Sequence, residues 1–251
     1  FTSALTKYSP YYYDAFQYRA QVRYRLGNYQ GALEDVNFAI AKQSKNAKLL
    51  TERAFIRLAM SNYTGAIEDC NEALQMNILS ADVYLCKAAA ENALSDYKNA
   101  INDYDQAIKI TPQNEDAYVR RGIVKYNMED YQGAIRDYNY AISIDSACSF
   151  AYYNRAETQI KLNDNKAALN DYNIVLFYEP QNAYAYFNRG VLFSNMGRTL
   201  NAIEDFNKVL QINPNNIQAL FNRAKLKQNA KDLKGAIQDY DKIIELYPYF
   251  M

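Results

Sequence analysis

A strict 34-residue period constrains this chain more than any other feature. A basic residue followed by a small one recurs at Arg19-Ala20, Arg53-Ala54, Lys87-Ala88, Arg121-Gly122, Arg155-Ala156, Arg189-Gly190 and Arg223-Ala224. A second small-residue column keeps the same step, at Ala32, Ala66, Ala100, Ala134, Ala168, Ala202 and Ala236. A third column is aspartate throughout: Asp35, Asp69, Asp103, Asp137, Asp171, Asp205 and Asp239. Seven copies fit without insertion or deletion, over 13-46, 47-80, 81-114, 115-148, 149-182, 183-216 and 217-250. Such self-similarity marks a repeat array, in which one unit cannot bury its apolar face alone and stacked units can.

Within a copy the apolar residues follow helical spacing twice. In the fourth, Ala117, Tyr118, Gly122 and Tyr126 form one stripe, and Tyr131, Ala134, Ile135, Tyr138, Ala141 and Ile142 the next. Pro112-Gln113-Asn114, Pro180-Gln181-Asn182 and Pro214-Asn215-Asn216 separate one hairpin from the next, with proline ending a helix and asparagine able to cap its successor. Strand signals are absent. The reading is therefore an all-α chain of about fifteen helices: one over roughly residues 1–8, then seven antiparallel pairs.

A helix-turn-helix of this length resembles the tetratricopeptide repeat when it has an early aromatic, a small residue four positions on, then Tyr, Ala, aromatic, Ala and Pro. In the fourth copy the matching residues are Tyr118, Gly122, Tyr131, Ala134, Tyr138 and Ala141, with Pro112 closing the third. Asn165, Thr199 and Leu233 depart from the second-helix tyrosine of Tyr29, Tyr63, Tyr97 and Tyr131, and Ser44, Ile78 and Ser146 from the closing proline. The resemblance implies a right-handed α-solenoid, one continuous superhelix over 13-250, whose first helices line a concave face. Residues 1-12 match the second helix of a preceding repeat, so the sequence reads as a piece of a longer array. The uncapped apolar helix carrying Ile243, Ile244 and Tyr247 is expected to favour self-association.

Charge and composition exclude much chemistry. The 28 Lys+Arg balance 28 Asp+Glu, unlike a general polyanion binder, so no nucleic acid is expected. There is no histidine, which removes Ser-His-Asp and Cys-His catalysis and every His-containing zinc site. No apolar run approaches the roughly 18 residues of a membrane span, so the composition reads as soluble, with the compartment open. No catalytic, cofactor or metal residues are assigned, and no enzymatic activity is expected. Cys70, Cys86 and Cys148 show no paired spacing and read as reduced. Cys70 falls in a second-helix core column and Cys86 in a groove column, so their side chains are expected not to meet.

The basic and aspartate columns are 16 residues apart and read as one cross-helix ion pair per repeat, because an active site is singular and this feature occurs seven times. With core columns removed, the residue before the basic one is Tyr18, Glu52, Cys86, Arg120, Asn154, Asn188 and Asn222. Beside the three asparagines stand Tyr153, Phe187 and Phe221, and one turn earlier Phe150, Tyr184 and Gln218. Asparagine offers a donor and an acceptor to the backbone of an extended peptide, and aromatics supply anchors. By the resemblance, this is a non-enzymatic scaffold binding a protein or peptide in its concave groove through Asn154, Asn188, Asn222, Tyr153, Phe187, Phe221, Phe150 and Tyr184. The alternatives are that the asparagines serve the repeats themselves, or that the chain is a regulatory or targeting arm of a larger protein whose catalytic domain lies elsewhere. The carboxylate clamp known in some members is not expected. The column that would need lysine holds Gln17, Thr51, Leu85, Val119, Tyr153, Phe187 and Phe221.

Overall fold

A computed structural model describes residues 11–43, 45–76 and 79–246. The expectations placed on residues 1–10, Ser44, Ile78 and Tyr247 lie outside them. All regular structure among the described residues is helical, in fourteen segments. These are α1 (Tyr11–Arg25), α2 (Tyr29–Lys42), α3 (Ala47–Ala59), α4 (Tyr63–Gln75), α5 (Ala81–Ala93), α6 (Tyr97–Ile110), α7 (Glu115–Asn127) and α8 (Tyr131–Ile144). They continue as α9 (Ser149–Lys161), α10 (Asn165–Tyr178), α11 (Ala183–Asn195), α12 (Thr199–Ile212), α13 (Ile217–Asn229) and α14 (Leu233–Leu246). The chain divides into two compact units, one up to Asp137 and one from Tyr138 onward.

Local signals fix the helix ends. Asn114, Asn182 and Asn216 accept the backbone N–H of Ala117, Ala185 and Ala219, so the predicted caps are in place. Inside each hairpin the turn passes through one left-handed residue, again in 34-residue steps: Gly27, Ser61, Ser95, Glu129, Asn163, Gly197 and Lys231. Only two of these seven are glycine, so five turns hold a side chain at positive φ against its local preference.

In unit 1 the pairs α1/α2, α3/α4 and α5/α6 pack internally, and each second helix also packs on the following first helix. In unit 2 the same holds for α9/α10, α11/α12 and α13/α14. The small columns permit this approach. Ala32, Ala66, Ala100, Ala134, Ala168, Ala202 and Ala236 are all buried. A Cβ added at Gly190 would sit 3.1 Å from the Phe206 ring. Tyr104, Tyr138, Tyr172 and Phe206 fill the space between and are fully buried, each removing apolar area equivalent to roughly 1.5–3 kcal/mol.

Every member of the basic column meets its aspartate within the same repeat. Arg19–Asp35, Arg53–Asp69, Arg121–Asp137, Arg155–Asp171, Arg189–Asp205 and Arg223–Asp239 close at 2.5–2.7 Å, and Lys87–Asp103 at 2.8 Å. In all six arginine pairs Nε and Nη2 donate to the two carboxylate oxygens together. The guanidinium also lies over an aromatic ring three residues earlier at Phe16, Tyr118, Tyr152 and Tyr186. Those tyrosines are half-buried flanks of the pair.

Two further columns were not foreseen. The remaining arginine nitrogen reaches back 16 residues to the preceding second helix, bonding Asn37, Asp105, Asn139, Asn173 and Asn207. Each of these five arginines thus ties its own hairpin and also the neighbour. Four residues after the basic column, Arg23, Arg57, Lys125 and Lys227 give the aspartate a second cation. Glu91, Gln159 and Phe193 occupy that position in the other repeats.

One expectation fails outright. Cys86 is fully buried and packs in one apolar cluster with Cys70, together with Leu50, Ala66 and Val83. The error lies in treating the column before the basic residue as open groove. That column faces the previous repeat, so a small apolar side chain there is enclosed. No disulfide joins the three cysteines.

Candidate functional site

The column before the basic residue leans against the preceding first helix. The Asn188 amide donates to the Tyr153 hydroxyl at 2.7 Å and to Glu157 Oε1 at 2.9 Å, one repeat earlier. The same Glu157 oxygen accepts the hydroxyl of buried Tyr172, which gives that phenol the partner a buried tyrosine needs. Burial, then the Glu157 carboxylate, pushes Tyr153 up to about 12, so its phenol stays protonated. The same two causes raise Tyr172. Glu52 sits at the equivalent place in unit 1 and accepts from Gln17 and Gln21 at 2.6 and 2.8 Å.

The three asparagines therefore differ. Asn154 donates to its own helix at the Phe150 carbonyl, 2.7 Å away. Asn188 spends its amide on the network between repeats. Asn222 is half-buried, and the positions equivalent to Tyr153 and Glu157 are Phe187 and Val191, which offer no polar atom. The neighbouring aromatics are half inside: Tyr153 stacks edge-on against Tyr172, Phe187 tilts against Phe206, and Phe221 packs edge-on against Tyr240.

Three of the sequence-predicted residues do come together around open space. Phe150, Tyr153 and Tyr184 line one cavity of about 230 Å³, with Ser149, Glu179 and Asn182 completing it. It lies where α9, the loop after α10 and the start of α11 meet. Phe150 is 51% exposed and Tyr184 79% exposed, as are several other rings of the chain, and these two face the same cavity. Glu179 accepts from the Asn182 amide at 2.7 Å, which steadies the loop wall. Phe187, Phe221, Asn188 and Asn222 are not part of this cavity. Asn182 had been read only as loop and cap and Glu179 was not singled out, because a single repeat gives no reason to bring them to an aromatic pair.

Among the described residues no group of three His, Cys, Asp or Glu is placed to hold a metal ion, and no helix is long and apolar enough to cross a membrane.

Comparison with known proteins agrees with the geometry. Tetratricopeptide repeat profiles match residues 18–81, 88–129, 183–216 and 218–248. Seven hairpins with small residues at the helix contacts, matched along most of their length, make this chain a member of the tetratricopeptide repeat family. Among solved structures, the C-terminal part of a repeat-containing protein from Cytophaga hutchinsonii is 18% identical, with TM-score 0.71 over 93% of this chain and 96% of that one. A tetratricopeptide repeat protein from Parabacteroides merdae is 19% identical, with TM-score 0.69 over 94% and 93%. YrrB, described as a repeat protein with an unusual peptide-binding site, is 20% identical, with TM-score 0.57 over 79% and 98%. At these identities the likeness is one of fold. No curated protein matches the sequence.

Proposed function

We propose that the chain is a protein-interaction scaffold that holds an extended peptide on its first helices, with the Phe150–Tyr153–Tyr184 cavity of unit 2 as side-chain anchor. The observation that carries this reading is the pair of large exposed rings, Phe150 and Tyr184, facing one cavity that no side chain of the described residues fills. Large rings left in water are a poor choice for stability and a good one for binding, because their burial by a partner supplies the apolar area of a hot spot. Family membership supports the class of function, and the peptide-binding description of YrrB is consistent with it. Asn188 contributes by fixing the Tyr153 hydroxyl, so its role is to position that ring. Asn154, Asn222, Phe187 and Phe221 border the same face and extend the contact along it.

The test begins with a peptide selected on the intact chain from a random display library. Its affinity is then measured by fluorescence anisotropy. Phe150→Ala and Tyr184→Ala each weaken it by about tenfold or more, the scale of a hot-spot truncation. Leu200→Ala, at an exposed position of α12, leaves it unchanged. Retained affinity in both aromatic variants with an unchanged helical signal overturns the assignment of the anchor.

A further inference from the structure

A larger cavity, of about 390 Å³, lies on the first helices of unit 1, between α1 and α3. Gln21, Tyr24 and Arg25 line it from one helix, and Glu52, Phe55 and Ile56 from the next. Its surface is mostly apolar, with one carboxylate set into the wall. Oε1 of Glu52 is held by the two glutamine amides, whereas Oε2 is shielded from water and accepts no hydrogen bond among the described residues. No lysine or arginine forms an ion pair with Glu52 among the described residues, and Arg25, exposed in the same lining, does not reach it. A carboxylate oxygen kept from both water and a cation is costly, and native structures rarely leave one so without use. The aspartate column shows the contrast, since each of its members meets at least one cation.

From this we infer that the Glu52 cavity receives the basic side chain of a peptide, an arginine or a lysine, and that the ligand supplies the missing counter-charge. The inference shares with the proposed function only the use of first helices for peptide binding. A long basic side chain fits the chemistry on both counts: its stem rests on Phe55 and Ile56 while its head meets the carboxylate. The Tyr24 and Phe55 rings add cation–π attraction on the way in. An acidic side chain would be repelled. An aliphatic one would fill the volume and leave Oε2 without a partner. The terminal torsion of a glutamate is soft, so a cation entering between Tyr24 and Phe55 can draw Oε2 outward while Oε1 keeps an amide.

The probe is an acetylated, amidated alanine pentapeptide with one central arginine, titrated against the whole chain and followed by NMR. The comparison peptide carries citrulline, which has the same shape without the charge. Saturable shifts are expected at the side-chain amides of Gln17 and Gln21 and at the Phe55 ring. The citrulline peptide should bind about tenfold more weakly, the effect of losing a charge-assisted contact. Glu52→Gln should reproduce that loss with an unchanged helical signal, while Arg25→Ala should bind as well or better. Equal binding of the two peptides to the native chain overturns the inference without reference to any variant. So does a loss in Arg25→Ala as large as in Glu52→Gln. Shifts confined to Phe150 and Tyr184 refute the Glu52 cavity and leave the unit 2 anchor standing. Shifts at neither place refute the Glu52 cavity, while the unit 2 anchor is decided by the display-selected peptide.

Discussion

Replacing Asp137 with alanine tests the ion-pair column at one of the four aspartates that take two cations. The carboxylate is 3% exposed and takes three bonds: Arg121 Nε at 2.9 Å, Arg121 Nη2 at 2.6 Å and Lys125 Nζ at 2.7 Å. Truncation leaves the Arg121 and Lys125 side chains, 16% and 19% exposed, facing an apolar hole. Arg121 keeps Asp105, which is half in water. A fully buried pair broken on one side loses about 3–5 kcal/mol. Partial rehydration of the two cations lowers that here, to about 3 kcal/mol. Asp205 is the internal control, because position 193 is phenylalanine and, among the described residues, Arg189 is its one cation. Asp205→Ala should cost about 2 kcal/mol, the range for losing charge-assisted hydrogen bonds. The assay is urea denaturation by circular dichroism, analysed with nearest-neighbour coupling because repeat arrays need not unfold in two states. A double-mutant cycle with Lys125→Met should give a coupling of about 1 kcal/mol. An Asp137→Ala loss below about 0.5 kcal/mol would show that the pairs set register and add nothing, and one no larger than that of Asp205→Ala would show that the second cation adds nothing.

Glu91 replaces the second cation in repeat three, and burial, with the Asp103 carboxylate beside it, pushes its pKa up to about 7 against the pull of Lys87. The folded chain therefore binds a proton more tightly than the unfolded chain between about pH 4.5 and 7, and stability falls as pH rises through that window. Glu91→Gln should remove this slope, on the order of 1–3 kcal/mol, and an unaltered pH profile of the melting midpoint would refute it. At the left-handed turn column, Gly197→Ala should destabilise by about 1 kcal/mol, since nothing lies within 4 Å of the added Cβ and the effect is purely backbone. Glu129→Gly should act in the opposite sense by about 0.5 kcal/mol, steric relief being partly offset by a freer unfolded chain; equal signs in the two melts exclude the account. Under native conditions iodoacetamide should modify half-buried Cys148 first and leave Cys70 and Cys86 intact, as peptide mass mapping can check.

Most of the fold was legible because it is written seven times. A single Arg121 or Asp137 would say little, whereas seven pairs in phase identify a structural contact. The asparagines that four of the arginines reach back to, at Asn37, Asn139, Asn173 and Asn207, obey the same period and were visible in principle. They were overlooked because each stands two residues after the more obvious aspartate. The site was less legible because it depends on what differs between repeats. Cys86 and Asn188 share a column, yet one is sealed in an apolar cluster and the other bonds a tyrosine and a glutamate. Periodicity fixes the direction of a side chain and leaves its neighbours to be read from the preceding repeat, where position 188 meets Tyr153 and Glu157 and position 52 meets Gln17 and Gln21.

The seam formed by Asn188, Tyr153 and Glu157 bears on how such arrays can be recombined. A 34-residue block carries its arginine and aspartate together, so shuffling whole hairpins keeps those charges matched wherever the block lands. The seam does not travel with it. A hairpin holding Asn188, set behind a foreign first helix, loses the phenol and the carboxylate that hold its amide, while the helix left behind keeps a Glu157 and a Tyr153 with one donor fewer. Exchange that preserves the surface must instead run from one first helix through the next. The smallest transferable patch is thus larger than the repeat that the sequence counts.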